Sequence, residues 1–129
     1  MRRLALVALL ITATGFSGER RHLRLTRSEP SADSSVSQLS AIKLWFSQPV
    51  ELRVTSVRLT GEGDRPVELA ALMKESRDIA TPVVAGVPAG AAPGRYTVNW
   101  RTMSRDGHAV SGTFAFTLAA PAGTPAHNH

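Results

Sequence analysis

From residue 22 onward, apolar and polar positions alternate in short runs, and no stretch sustains the 3.6-residue period of an amphipathic helix. Segment 22–26 alternates and is predicted as the first strand, broken by the Ser- and Pro-containing run 28–34. Ile42, Leu44 and Phe46 share one face of the next strand, which Ser47-Gln48-Pro49 ends because proline cannot donate to a ladder. A strand over 52–60 follows, with Val57 and Leu59 inward, then a Gly-rich turn over 61–66 and a short edge strand at 67–69. Residues 70–78 mix helix-favouring side chains without a convincing cap and are expected to form a loop or a single turn. Segment 79–87 supports one more strand interrupted by Pro82, and 88–94 is a Pro/Gly loop. The clearest strands come last: Tyr96, Val98 and Trp100 on one parity, then Val110, Phe114, Phe116 and Leu118 on one parity.

About seven short strands in a hundred residues predict an all-β, two-sheet Greek-key sandwich. The sheets are expected to be antiparallel, since no segment supplies the crossover helices that parallel neighbours need. Trp45, Trp100, Phe46, Phe114 and Phe116 are expected to pack in or near the core.

The two ends do not fit this pattern. Met1-Arg2-Arg3 precedes a continuous apolar run and small residues at Ala13, Gly15 and Ser17, as in a secretory signal peptide over 1–18 with the cut falling within 15–18. Even counted from Leu4 to Phe16 the stretch is well short of the ~20 residues of a spanning helix, so cleavage is expected and the mature chain carries no transmembrane segment. The domain is predicted to occupy 19–118. Residues 119–129, rich in Ala, Pro and Gly, are expected to form a disordered tail.

Composition narrows the chemistry. The chain has no Cys, which excludes thiolate zinc sites, blue-copper centres, iron–sulfur clusters, a Cys nucleophile and disulfides, and leaves nitrogen and oxygen as ligands. Of 15 Lys+Arg, Arg2 and Arg3 leave with the leader, so 13 face 10 Asp+Glu, a net +3 with neutral His. The one basic concentration, Arg20, Arg21, Arg24 and Arg27, lacks interleaved stacking aromatics. It is read as a solvated or membrane-facing surface, and no nucleic-acid partner is expected.

The chain has four histidines: His22, His108, His127 and His129. His22 opens the first predicted strand, and His108 closes Ser104-Arg105-Asp106-Gly107-His108, the link between the two clearest strands. Residues two apart in extended chain project to the same side, so Asp106 and His108 can offer a carboxylate and an imidazole to one ion, with Gly107 relieving the bend. Taken alone, Asp-Gly is equally a hairpin turn, with His108 merely solvated. The metal reading gains from His22 if the first strand and the last hairpin meet at one pole. Imidazole and carboxylate without sulfur suit Cu(II), Ni(II) or Zn(II), with Cu(II) heading the affinity order. His127 and His129 form an accessory pair on a segment that would have to order itself to bind.

The stretch Tyr96-Thr97-Val98-Asn99-Trp100-Arg101 through Ser104-Arg105-Asp106-Gly107-His108-Ala109-Val110-Ser111-Gly112-Thr113-Phe114-Ala115-Phe116 resembles the C-terminal signature of the CopC family of exported copper-binding proteins. His22-Leu23 through Ser28-Glu29-Pro30, Leu44-Trp45-Phe46-Ser47-Gln48-Pro49-Val50-Glu51 and Pro93-Gly94-Arg95-Tyr96 resemble it in the same order, so the likeness spans 22 to about 118. The resemblance implies a cupredoxin-like sandwich carrying Cu(II) in the periplasm. It implies a metal site at His22, Asp106 and His108, with no turnover, and an inner-membrane copper transporter as partner. Glu19-Arg20-Arg21 before His22 departs from the family, where that His is commonly the first mature residue. Only Met73 and Met103 remain after the leader, whereas some members carry a Met-rich loop for Cu(I), so a Cu(II)-only site is expected. Two other classes stand beside this reading: a metal-free immunoglobulin-like assembly or adhesion module, and a small copper-dependent oxidative enzyme.

Overall fold

The computed structural model describes residues 22–121. The leader, Arg20 and Arg21, and the His127/His129 pair lie outside the described residues. Eight strands form two sheets: β1 Leu25–Glu29, β2 Ser35–Val36, β3 Ala41–Phe46, β4 Ser56–Gly61, β5 Arg65–Val67, β6 Val83–Gly86, β7 Gly94–Met103 and β8 Ala109–Leu118. One sheet has the order β1-β3-β6 and the other β2-β8-β7-β4-β5. Two 3-10 turns, Leu52–Val54 and Glu62–Asp64, flank β4, and no α-helix occurs among the described residues.

Alternation dictates which rows meet. On β3, Ile42, Leu44 and Phe46 are buried while Lys43 and Trp45 point to the other side; on β7, Tyr96, Val98 and Trp100 are buried, and on β8, Phe116 and Leu118. These inward rows share one core, in which Phe46 meets Trp100 edge-on at 5.3 Å and Tyr96 stacks on Phe116 at 5.7 Å. Phe114 packs half-buried against this core. Trp45 lies on the outer face, its indole N–H donating to the Ala80 carbonyl at 3.0 Å and the Arg27 guanidinium 4.5 Å above its ring.

The structure departs from the sequence expectation in several places; of the strand predicted over 79–87, only Val83–Gly86 is extended, after a turn that precedes Pro82. The first strand begins at Leu25 and runs on through Glu29, because an edge strand needs only its backbone bonds to β3; Pro30 then stops it. Leu23, before the strand, is nonetheless buried in the core. Residues 52–54 turn rather than extend: the Thr55 hydroxyl donates to the Glu51 carbonyl at 2.7 Å and lies 2.8 Å from the Thr102 hydroxyl, pulling the chain in before β4 starts. The edge strand is 65–67 rather than 67–69, paired to β4 through Gly61↔Arg65. Finally, β2 pairs with β8 in parallel. The two are far apart in sequence, so the chain simply crosses from one sheet to the other after β1 and no crossover helix is required.

Candidate metal-binding pole

β7 and β8 form the longest ladder, ten paired positions from Gly94↔Leu118 to Met103↔Ala109. Beyond Met103 the chain reverses over Ser104–Gly107. The Gly107 amide donates to the Ser104 carbonyl at 3.0 Å, and the Ser104 amide to the His108 carbonyl at 2.9 Å. Gly107 sits at φ +84°, the left-handed region that a β-carbon disfavours, which explains a glycine here.

This turn joins the two predicted ligands of the hairpin. The His108 Nδ1–H donates to Asp106 Oδ2 at 2.9 Å, and the Ser104 hydroxyl donates to Asp106 Oδ1 while lying 3.2 Å from the His108 carbonyl. The His108 amide approaches Asp106 Oδ1 at 3.4 Å. The Ser104 hydroxyl bond, followed by the bond from His108, holds the Asp106 carboxyl far below the usual carboxylate range. With Nδ1–H committed to the carboxylate, the neutral imidazole keeps its free lone pair on Nε2, on a side chain 78% exposed. The pair is therefore preset, open to solvent and anionic on one side. Ser104 carries no ligand signature in the sequence, and only its position two residues before an Asp, where a hydroxyl favours local bonds, hints at this grip.

His22 reaches the same end of the sandwich by a different route. Leu25 pairs with Phe46, the last residue of β3; the Ser47 amide donates to the Arg24 carbonyl at 2.9 Å, and the Arg24 amide to the Ser47 hydroxyl at 3.0 Å. The segment after β3 lines one groove together with Met103, Ser104, Arg105 and Gly107. The start of β1, three residues after exposed His22, and the β7–β8 tip thus lie at one end of the sandwich. Asp106 and His108 touch; His22 is not gathered with them, and no cluster of three or more His, Cys, Asp or Glu side chains is assembled among the described residues. Met103, 40% exposed, borders the turn, and Met73 pairs through its backbone with Val84 on the opposite sheet's edge.

A family model described as the CopC domain matches residues 25–119. The chain is 31% identical to copper resistance protein C of Escherichia coli over 116 residues, covering 84% of this chain and 90% of that protein. It is 27% identical over 113 residues to protein YobA of Escherichia coli K12, covering 87% and 90%. Among solved structures, CopC from Methylosinus trichosporium OB3b superposes with a TM-score of 0.68 at 27% identity, covering 84% of this chain and 98% of that one. PcoC, a methionine-rich copper resistance protein from Escherichia coli, superposes with a TM-score of 0.64 at 28% identity over 75% and 98%. This chain, whose eight strands all lie within the matched residues, belongs to the CopC domain family.

Proposed function

We propose that this chain is an exported, periplasmic Cu(II)-binding protein that carries or sequesters copper, with His22, Asp106 and His108 as its metal residues. The observation that carries this reading is the preset Asp106–His108 pair at the pole where β1 begins. Membership of the CopC family and likeness to proteins named for copper resistance supply the metal. Imidazole and carboxylate donors form the borderline-hard set that Cu(II) favours. Asp106 contributes negative charge and orients the His108 ring, while Nε2 of that ring is the free donor. His22, on the short segment before β1, closes on the ion from the other side; ordering this segment is the entropic cost of binding. The reading involves delivery or retention of an ion and no turnover, with a membrane copper transporter as the exchange partner.

Titration of the mature protein with Cu(II) by isothermal calorimetry over pH 4.5–7.5 tests this. Copper competes with protons for each imidazole, whereas Asp106 stays ionised because Ser104 and His108 hold it as the anion. Affinity therefore falls as pH falls, and two imidazole ligands give a limiting loss of about a hundredfold per pH unit below their titration range, one imidazole about tenfold. A pH-independent affinity contradicts ligation by histidine.

A further inference from the structure

Beside the hairpin tip runs a groove of about 1010 Å³ between the segment 49–54, the segment 74–77 and the end of β7. Its floor is apolar: Val50 is buried and Leu52 half-buried. Val54 and Met103 are two of the four large hydrophobic side chains left exposed among the described residues. Its walls are cationic, with Arg53, Lys74, Arg77 and Arg105 against Glu51 and Glu75. Glu51 is already neutralised by Arg53, Nε to Oε2 at 2.7 Å. Lys74 is anchored on the Asp78 and Thr81 carbonyls, whereas Arg77 and Arg105 form no ion pair with any described residue. Val50 and Leu52 belong to the edge of the sandwich core, whereas Val54 and Met103 extend that apolar surface out to solvent between the unpaired guanidinium groups.

We infer that this groove docks an acidic, extended protein segment, one that sets apolar side chains on Leu52, Val54 and Met103 and carboxylates against Arg77 and Arg105. Charge complementarity selects the partner: Arg53, Lys74, Arg77 and Arg105 against Glu51 and Glu75 leave the lining with an excess of two positive charges that attracts an anionic chain, and Arg presents the fork that carboxylates fit. A concave floor with apolar side chains suits a peptide better than a flat lipid surface, which makes a protein segment the occupant. The groove shares Ser104, Arg105 and Gly107 with the turn that holds Asp106 and His108, so a docked segment lies alongside the proposed copper residues. That consequence rests on the copper reading; the docking does not.

The test is fluorescence anisotropy of the metal-free mature chain with a labelled short peptide alternating Glu or Asp with Leu and Val. Saturable binding is expected, weakened about tenfold by Arg77→Glu and again by Arg105→Glu, and unaltered by Arg58→Glu on the exposed face of β4. Arg77→Gln guards against a folding defect and is expected to show a smaller loss in the same direction. The same peptide with Gln and Asn in place of the acids is expected not to bind. Absence of saturable binding, equal affinity after both reversals, or binding to phosphatidylglycerol vesicles in place of the peptide overturns the proposal. A Cu(II) titration of the wild-type chain is read separately: failure to bind copper sinks the metal reading and leaves the peptide result standing.

Discussion

Gly112→Ala is expected to destabilise the domain by about 3 kcal/mol, the scale of an overpacked core, and to lower the thermal midpoint by on the order of 15 °C for a domain of this size. Gly112 on β8 pairs directly with Trp100 on β7, and the indole folds across the space a side chain would take. A β-carbon there would stand 2.6 Å from Trp100 Cζ2, 2.7 Å from Cε2 and 2.8 Å from Nε1, all inside contact distance. The indole cannot swing away freely, because it is buried and held in an edge-on contact with Phe46. Trp100→Phe removes Cζ2, the nearest of the three clashing atoms, with the outer part of the indole, so the double variant Trp100→Phe/Gly112→Ala should be less destabilised than the sum of the two single changes. Circular-dichroism melting of the four proteins measures that coupling, and strict additivity contradicts the clash.

His108→Ala carries the second large effect, on binding alone. Removing the imidazole deletes one of the proposed nitrogen ligands and frees the Asp106 carboxylate from its ring partner, so the Cu(II) dissociation constant should rise at least about a hundredfold. The side chain is solvent-exposed and contributes nothing to the core, so the metal-free melting point should move by less than the shift of about 0.5 kcal/mol typical of surface changes. A comparable loss of copper affinity and of metal-free stability would instead mark His108 as structural.

How much of this molecule is legible in its sequence depends on what each feature rests upon. The inward rows of β3, β7 and β8 follow from alternation, because burying Ile42, Leu44, Phe46, Val98 and Phe116 leaves no other register available. The sandwich and its family follow from the same rows and the hairpin frame. The two-residue strand β2 is invisible, since Ser35 and Val36 make a strand only through backbone bonds to β8 that no local pattern encodes. Residues 52–54 look like a strand because Leu, Arg and Val alternate, yet two threonine hydroxyls set far apart in the chain decide their turn. At the site, the i, i+2 spacing singles out Asp106 and His108, but their contact is made across a turn and not along the extended chain that the spacing argument assumes. The clamp by Ser104 is not readable, for it depends on how the turn closes. The common end of β1 and the hairpin depends on β1 running antiparallel to β3, a fact of topology that composition and spacing do not contain. The groove has no sequence signature, because its lining comes from three segments that meet only on folding.

The central claim, that imidazoles from both ends of the domain hold one Cu(II), is tested most directly by pulsed electron paramagnetic resonance of the mature protein loaded with one equivalent of copper. Modulation from two equatorial imidazoles is predicted, reduced to one by either His22→Ala or His108→Ala and lost in the double variant. A spectrum that keeps both imidazoles after those substitutions, or never shows more than one, contradicts the account.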